Sequence, residues 1–475
     1  MASRNERATG WGGPAEMSAW EAVMWRAEGD LRTRSTGALL EILHSEPDWS
    51  RLFAAHERLT GRVPRLRERV VEPVLPLVSP VWSPDPHFDL AYHVQQLRLP
   101  APGSERQLLD LVAAIESRPL DRNRPPWEAA LITGLDGGRA AYVLKVHHSL
   151  SDGLGLIQLL DIAHSRTPEP SADTTGEAGE RSAAPARVSP AGVLADRLRA
   201  GVESAPADLV RASGSALSMF GQAVRHPVGS GRRAVEFGSS LRRMLTPPGA
   251  ARSPLLRDGG FGYRLVAHDV PLADLKRAGK AAGGSVNDAF LAAVLGTFRR
   301  YHEHHGVEVE RMPLSVPISL RSADDQLGGN RFAGVRFDAP VGEPDPAARI
   351  ALIRDFIVHA RSEPAIGFLD LITPVLSRLP TAALTEVAGG MTTVSDVQAS
   401  NIPGLGHPVF LAGAKVQRMY PMGPRPGVAA MVTVVSYDGT CCVGVNLDPA
   451  VIGDIAVFED CLRGGFEEVI ALAER

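Results

Sequence analysis

The segment that most constrains this chain is Lys145–Leu160, KVHHSLSDGLGLIQLL, because its hydrophobic periodicity changes half-way. The preceding residues, Ala140–Leu144, form a short apolar run of the kind found in buried strands. After Gly153 the large aliphatic residues recur at helical spacing instead. The pattern therefore predicts a strand that ends at two histidines, a short turn, and a helix that begins near Asp152, a favoured capping residue.

This predicted junction brings together side chains that suit chemistry at neutral pH. A histidine has an unperturbed pKa of about 6.5 and can act as a general base. Asp152 could hold the turn through a buried ion pair or a backbone hydrogen bond. Gly153 allows a backbone angle that a side chain would resist. Core histidines and a helix cap would explain each residue singly, but their occurrence at one junction favours an active site.

The pattern HHxxxDG at His147–Gly153 resembles the active-site motif of the CoA-dependent acyltransferase superfamily, which includes peptide-synthetase condensation domains. The whole chain resembles, more closely, the bacterial wax ester synthase/diacylglycerol acyltransferase family. The segments that carry this closer resemblance are Leu66–Arg67, PLDRNRPPWE from Pro119, Asn287–Asp288, LSVPISLR ending at Arg321, GGNR from Gly328, and SNIPG from Ser400. The chain departs from the family pattern near its N-terminus, at Pro126 and at Leu405, where the family usually has Leu and Pro respectively.

The resemblance implies an α/β fold with two domains of the chloramphenicol-acetyltransferase-like sandwich and a central substrate channel between them. A change in composition supports this division, because Val188 is the only large aliphatic residue in Arg166–Pro190. Such a segment cannot bury enough apolar surface to offset the entropy of ordering. We therefore predict an N-terminal acyltransferase domain over residues 1–165, a disordered linker with connecting helices over 166–255, and a C-terminal acyltransferase domain over 256–475.

For the site, the resemblance implies that His148 is the general base, that His147 orients the loop, and that Asp152 holds the loop without contacting substrate. Gly153 would have a structural role, as would Arg67 and Arg321, the two candidates for an ion pair with Asp152. Candidates for lining the channel are Asn287, Asn401, Ser151 and Trp127. A packing role is also open for Trp127, since tryptophan is usually largely buried.

Local signals predict several further elements. Ser285 and Asp288 have the spacing of a capping box at the start of a long amphipathic helix. Asp438–Gly439 lies between two apolar runs and predicts a hairpin turn. The long helix ends at His302–His305, but the metal motif HExxH is absent, because Gly306 stands where its second histidine would be. We expect these histidines to be exposed and no metal ion to be bound.

Composition and motifs disfavour several other functions. Charged residues make up 22% of the chain and the net charge is −4, which gives no general attraction to nucleic acid. No GxSxG elbow or GxxxxGK[ST] loop occurs, which disfavours a serine hydrolase and a phosphate-loop NTPase. No run of about 20 apolar residues suggests a transmembrane helix, and the first residues lack a signal core. The three cysteines, near the C-terminus, do not suggest a disulfide framework.

We therefore expect a cytoplasmic enzyme that moves a fatty acyl group from acyl-CoA to a lipid hydroxyl. The product would be triacylglycerol from diacylglycerol, wax ester from a long-chain alcohol, or both. No cofactor is expected, since acyl-CoA is a substrate, and lipid substrates imply contact with the inner membrane surface or lipid droplets. Two alternatives stay open: a condensation-like enzyme that uses a carrier-protein thioester or a non-lipid alcohol or amine, and a non-catalytic protein that binds acyl ligands.

Overall fold

The structure, a computed structural model, describes residues 10–75, 78–169, 189–193, 195, 249–320, 327–330, 332–362, 373–374 and 376–474. Most of the predicted linker with its connecting helices, 166–255, lies outside the described residues. Arg321 also lies outside them.

The N-terminal half contains a mixture of helices and strands. They are α1 (Ala19–Ala27), β1 (Thr36–Leu43), α2 (Trp49–Arg62), β2 (Glu68–Val71), β3 (Val81–Pro84), β4 (Val94–Arg98), α3 (Glu105–Glu116), β5 (Trp127–Thr133), β6 (Ala140–His147) and α4 (Gly153–Ala163). Asp89 caps a single helical turn, Leu90–His93, which directly precedes β4. The Asp89 carboxylate accepts a hydrogen bond from the N–H of Ala91, which favours the turn over an extended chain.

The C-terminal half has the same mixed character. Its elements are β7 (Arg264–Pro271), α5 (Leu272–Ala281), α6 (Val286–His304), β8 (Met312–Ser319), β9 (Phe332–Ala339), α7 (Pro346–Ser362), α8 (Thr381–Thr392), β10 (Val397–Ile402), β11 (Phe410–Leu411), β12 (Ala414–Met422), β13 (Ala430–Tyr437), β14 (Thr440–Leu447) and α9 (Ile455–Ile470). Ser285 and Asp288 form the predicted capping box at the start of α6. The turn between β13 and β14 has positive φ at both Asp438 and Gly439, as the predicted hairpin requires.

Two six-stranded sheets organise the described residues. The first has the strand order β11-β12-β1-β6-β5-β4, and the second has the order β7-β14-β13-β10-β8-β9. Every residue of β1 and of β6 is buried, which agrees with their nearly continuous apolar sequences. Because β6 is a central strand, the histidines at its end are held by an ordered sheet.

One strand pair crosses between the halves of the chain. β11 and β12 belong by sequence to the C-terminal half but complete the first sheet, where Ala38 pairs with Met422 and Leu40 with Tyr420. The first sheet is therefore built from both halves. The predicted bounds 1–165, 166–255 and 256–475 stay a prediction.

None of the helices in the described part of the chain is both long and apolar enough to cross a membrane. The three cysteines are buried and unpaired.

Candidate active site

The junction between β6 and α4 forms as the sequence predicts. Strand β6 ends at His147, and Asp152 caps α4 by accepting a hydrogen bond from the N–H of Gly155 at 2.8 Å. The role of Gly153 differs from the predicted one, because its φ is not positive. A β-carbon there would lie 2.5 Å from Cδ1 of Ile402. Glycine is required at this position by the close approach of β10, not by an unusual backbone angle.

His147 points into the protein and contacts α1. Its Nδ1 accepts a hydrogen bond from the N–H of Ser149 at 3.0 Å, and its Nε2 lies 3.3 Å from the Glu28 carboxylate. The ring also meets the edge of Trp25 at 5.1 Å between centroids. Burial acts to raise the pKa of Glu28, but the neighbouring His147 and the hydrogen bonds from Ser35 and Thr36 outweigh burial and lower it. These contacts hold His147 against α1, and its orienting role stays a prediction.

His148 lies at the edge of the same loop and is half-buried. Its N–H donates to the carbonyl of Ser35 at 2.7 Å, and its Nδ1 lies 3.0 Å from Oδ1 of Asn330. Burial lowers the pKa of His148, and the Asn330 contact and the negative charge of Asp152 only partly oppose this effect. The imidazole is therefore neutral at pH 7, the form that can accept a proton.

A loop from the C-terminal half, residues 327–330, closes over the motif. The N–H of Asp152 donates to the carbonyl of Gly329 at 3.0 Å, and the N–H of Gly328 donates to the side chain of Gln158 at 3.0 Å. The amide of Asn330 donates to the carbonyl of His148 at 2.7 Å. Asn330 was not predicted as a site residue. Its only sequence signal was its place in the GGNR segment.

Helix α1 and the residues before it form another wall of the site. Glu21 is buried and forms a capping box with Ser18, and the side chain of Asn330 acts on its carboxyl group. Burial raises the pKa of Glu21, with partial opposition from Ser18, Arg65 and Asn330. Trp11 donates from Nε1 to the carbonyl of Gly155 at 3.0 Å. The sequence did not predict that this N-terminal segment reaches the motif.

The predicted ion pair between Arg67 and Asp152 is wrong. The Arg67 side chain is exposed, and its guanidinium lies over the ring of Phe88 at 4.9 Å. The buried arginine of this segment is Arg65, which pairs with Glu68 at 2.7 Å. The guanidinium of Arg65 also stacks on Trp82, so Arg65 is held by both an ion pair and an aromatic ring. Arg321, the other candidate, stays a prediction.

Two of the channel candidates are buried. Trp127 donates from Nε1 to the carbonyl of Leu66 at 2.7 Å and stacks on His93 at 4.6 Å between centroids. Ser151 is also buried, and a β-carbon on Gly155 would collide with its hydroxyl. The contacts of Trp127 favour the alternative that it is a packing anchor, and the channel role of both residues stays a prediction.

The two asparagine candidates are separated in the fold. Asn401 is half-buried in β10 and directly precedes Ile402, the residue that contacts Gly153. Asn287 is half-buried in the first turn of α6, beside Asp288, whose charged neighbour is Arg354 at 3.8 Å. Asn401 thus lies next to a residue that contacts the motif.

The histidines at the end of α6 do not form a metal site. His302, which was expected to be exposed, is buried and lies 2.6 Å from the hydroxyl of Ser253. Its Nδ1 bonds to the carbonyl of Phe298 one turn earlier, so the helix itself turns the ring inward. In the described part of the chain, no three His, Cys, Asp or Glu side chains come together in a way that could hold a metal ion.

Comparison with known protein families shows to which family the chain belongs. The model of the wax ester synthase/diacylglycerol acyltransferase catalytic domain matches residues 17–290, more than half of the chain. The chain belongs to this acyltransferase family. The model of the C-terminal domain of the same family matches residues 328–469. The loop that carries Asn330 begins where this second match begins.

Similar proteins agree with this membership. A protein of Mycobacterium tuberculosis H37Rv, provisionally named diacylglycerol O-acyltransferase, is 41% identical over 96% of this chain and 92% of its own length. The wax ester synthase/diacylglycerol acyltransferase from Marinobacter aquaeolei VT8 superposes with a TM-score of 0.63 at 21% identity, covering 97% of this chain and 100% of that one. The first condensation domain of the CDA synthetase superposes with a TM-score of 0.59 at 17% identity, with 96% of each chain covered. The fold is thus the two-domain α/β fold that family members share with condensation domains.

Proposed function

We propose that this protein transfers a fatty acyl group from acyl-CoA to a lipid hydroxyl, with His148 as the general base. The observation that carries the proposal is the environment of His148. Its backbone is held at the end of a buried strand, and burial keeps its imidazole neutral at pH 7. A neutral, ordered imidazole within the HHxxxDG motif of an acyltransferase family is suited to remove a proton from an alcohol.

The reaction would proceed by direct transfer with both substrates bound. His148 removes the proton from the acceptor hydroxyl as the oxygen attacks the thioester carbonyl. The tetrahedral intermediate then collapses, the carbon–sulfur bond breaks, and His148 returns the proton to the departing CoA thiolate. The products are an ester and free CoA, so the atoms and charges balance without a cofactor or a covalent enzyme intermediate. Hydrogen-bond donors at the site would stabilise the oxyanion.

The acceptor would be diacylglycerol, a long-chain alcohol, or both. The names of the relatives support diacylglycerol, and the Marinobacter protein's name includes wax ester synthesis. Two of the positions that depart from the family pattern make structural contacts. The carbonyl of Pro126 accepts a hydrogen bond from the N–H of His147, and Leu405 is buried in the core of the first sheet. Such lipids would be reached at the inner membrane surface or at lipid droplets.

The first test is a pair of assays with purified protein and palmitoyl-CoA. Hexadecanol is the acceptor in one assay and dioleoylglycerol in the other, and both thiol release and the lipid product are measured. We expect an ester in at least one assay and a loss of turnover of at least about 10²-fold in a folded His148→Ala variant, as for removal of a general base. Full activity in this variant would contradict the mechanism.

The other outcomes separate the alternative functions. Thiol release without a lipid product would indicate hydrolysis or a different acceptor. Transfer from an acyl-loaded carrier protein, but not from acyl-CoA, would indicate a condensation-like enzyme. Saturable binding of acyl-CoA without any product would indicate a binding protein.

A further inference from the structure

The side chain of Asn330 makes a set of contacts that allows only one arrangement of hydrogens around His148. One end of the amide lies 2.7 Å from the backbone carbonyl of His148. The other end lies 3.0 Å from Nδ1 of the same histidine. The amide therefore bridges the backbone and the ring of a single residue 182 positions away.

The carbonyl of His148 determines which way the amide points. A carbonyl oxygen can only accept a hydrogen bond, so the NH₂ group of Asn330 must face it. The reversed orientation would place the amide oxygen against this carbonyl oxygen, which is also an acceptor. The amide oxygen must therefore face Nδ1 of His148.

The orientation of the amide in turn determines the tautomer of the ring. An amide oxygen is an acceptor only, so Nδ1 of His148 must carry the hydrogen. In a neutral imidazole the lone pair is then on Nε2. The opposite tautomer would bring the lone pair of Nδ1 against the amide oxygen.

Glu21 is itself held in place. Its carboxylate accepts the N–H of Ser18 at 3.0 Å, and its own N–H donates to the Ser18 hydroxyl at 3.2 Å. The positive charge of the buried Arg65 also acts on it. A series of ordered groups thus leads from α1 through Asn330 to the ring.

We propose that Asn330, supported by Glu21, is a positioning residue that holds His148 in the Nδ1–H tautomer and so makes Nε2 the atom that takes the proton of the acceptor. The assignment rests on the proposed function for its catalytic consequence, while the tautomer itself is a property of the free protein. The charged and titratable groups that act on His148 are Asp152 and His147. Asp152 caps α4 and His147 faces Glu28, while the backbone of His148 itself also acts on the ring as a hydrogen-bond acceptor.

Nitrogen NMR of the free protein tests the tautomer without any substrate. The protein is labelled with ¹⁵N at histidine, and the His148→Ala variant identifies the signals of His148. We expect Nδ1 to have the shift of a protonated nitrogen and Nε2 that of an unprotonated one, and we expect Asn330→Ala to produce a mixture of tautomers. An Nε2–H tautomer in the unmodified protein, or the same shifts in folded Asn330→Ala, would overturn the proposal.

Kinetics tests the catalytic consequence. In Asn330→Ala we expect kcat to fall by roughly 10- to 100-fold, as for loss of an orienting partner, with a smaller change in KM. Asn330→Asp places an anion beside the ring, so the acid limb of the pH–rate profile should move up by about 1 pH unit or more. Asn123→Ala, at an exposed loop position, is the matched control.

The two sets of measurements separate the failure of this proposal from that of the proposed function. A protein without acyltransferase activity that shows the Nδ1–H tautomer would refute the function and support the positioning role. Unchanged kcat and an unchanged pH profile in both folded Asn330 variants would overturn the positioning role in an active enzyme.

Discussion

At the scale of single residues, Asp152 combines two effects that can be separated by substitution. Its carboxylate caps α4 through the N–H of Gly155. Its negative charge also raises the pKa of His148 against the stronger lowering by burial. Asparagine keeps the capping oxygen but not the charge, whereas alanine removes both.

We predict that Asp152→Ala unfolds at lower urea concentration than Asp152→Asn, with a difference of about 1 kcal/mol in the free energy of unfolding. Loss of the charge disfavours the imidazolium, so the pKa of His148 should fall in both variants. The acid limb of the pH–rate profile should then move to lower pH. Equal stability of the two folded variants would show that the Asp152 cap contributes nothing to the free energy of unfolding. A shift of the acid limb to higher pH would contradict the effect of the Asp152 charge on the pKa of His148.

At the scale of elements, the first turn of α4 packs against the end of β10. The contact is close enough that a β-carbon on Gly153 would lie 2.5 Å from Cδ1 of Ile402. Helix α4 follows the HHxxxDG motif and β10 carries the SNIPG segment. Two of the sequence segments that resemble the family therefore meet at this contact.

We predict that Gly153→Ala destabilises the protein by about 1–3 kcal/mol, as overpacking does. Ile402→Val removes the Cδ1 methyl group, so the double variant should be more stable than the sum of the two single effects by at least about 0.5 kcal/mol. Urea unfolding of the four proteins measures this coupling. Additive effects on the free energy of unfolding would mean that the strain of Gly153→Ala is relieved elsewhere. Leu352→Val on α7 is the control for a smaller aliphatic side chain at an exposed position.

At the scale of the whole molecule, a strand of the C-terminal half joins the first sheet and so couples the two halves of the chain. β12 comes from the C-terminal half but pairs with β1 along six positions, from Ala38–Met422 to Leu43–Val416. Removing β12 would expose the edge of a strand whose residues are all buried. Neither sheet is therefore expected to unfold while the other stays intact.

The chain has separate natural probes for the two halves. All six tryptophans lie at or before Trp127, and all three cysteines lie at or after Cys441. We predict that tryptophan fluorescence and the reactivity of the buried thiols change at the same urea concentration, because the halves unfold cooperatively. Thiol exposure well before the fluorescence change would show that the C-terminal sheet opens independently and would contradict the coupling.

Much of the local structure could be predicted from the sequence because near neighbours determine it. Asp152 caps α4, Ser285 and Asp288 cap α6, and Asp438–Gly439 turns a hairpin, each through contacts within a few residues. The same applies to the position of His148 at a strand end. The overall fold was predicted from the family resemblance, because proteins that share these motifs also share a fold. The spacing of the motifs does not specify that fold by itself.

The sequence by itself therefore determined the strand, turn and helix of the motif, with both histidines and Asp152 in place. Only the tertiary structure decided which groups surround them: Glu28 beside His147, Asn330 beside His148, and Phe88 rather than Asp152 beside Arg67. The same holds for β12 in the first sheet and for the burial of His302. The physical reason is range, because contacts between residues that are distant in the sequence depend on how the sheets and helices pack.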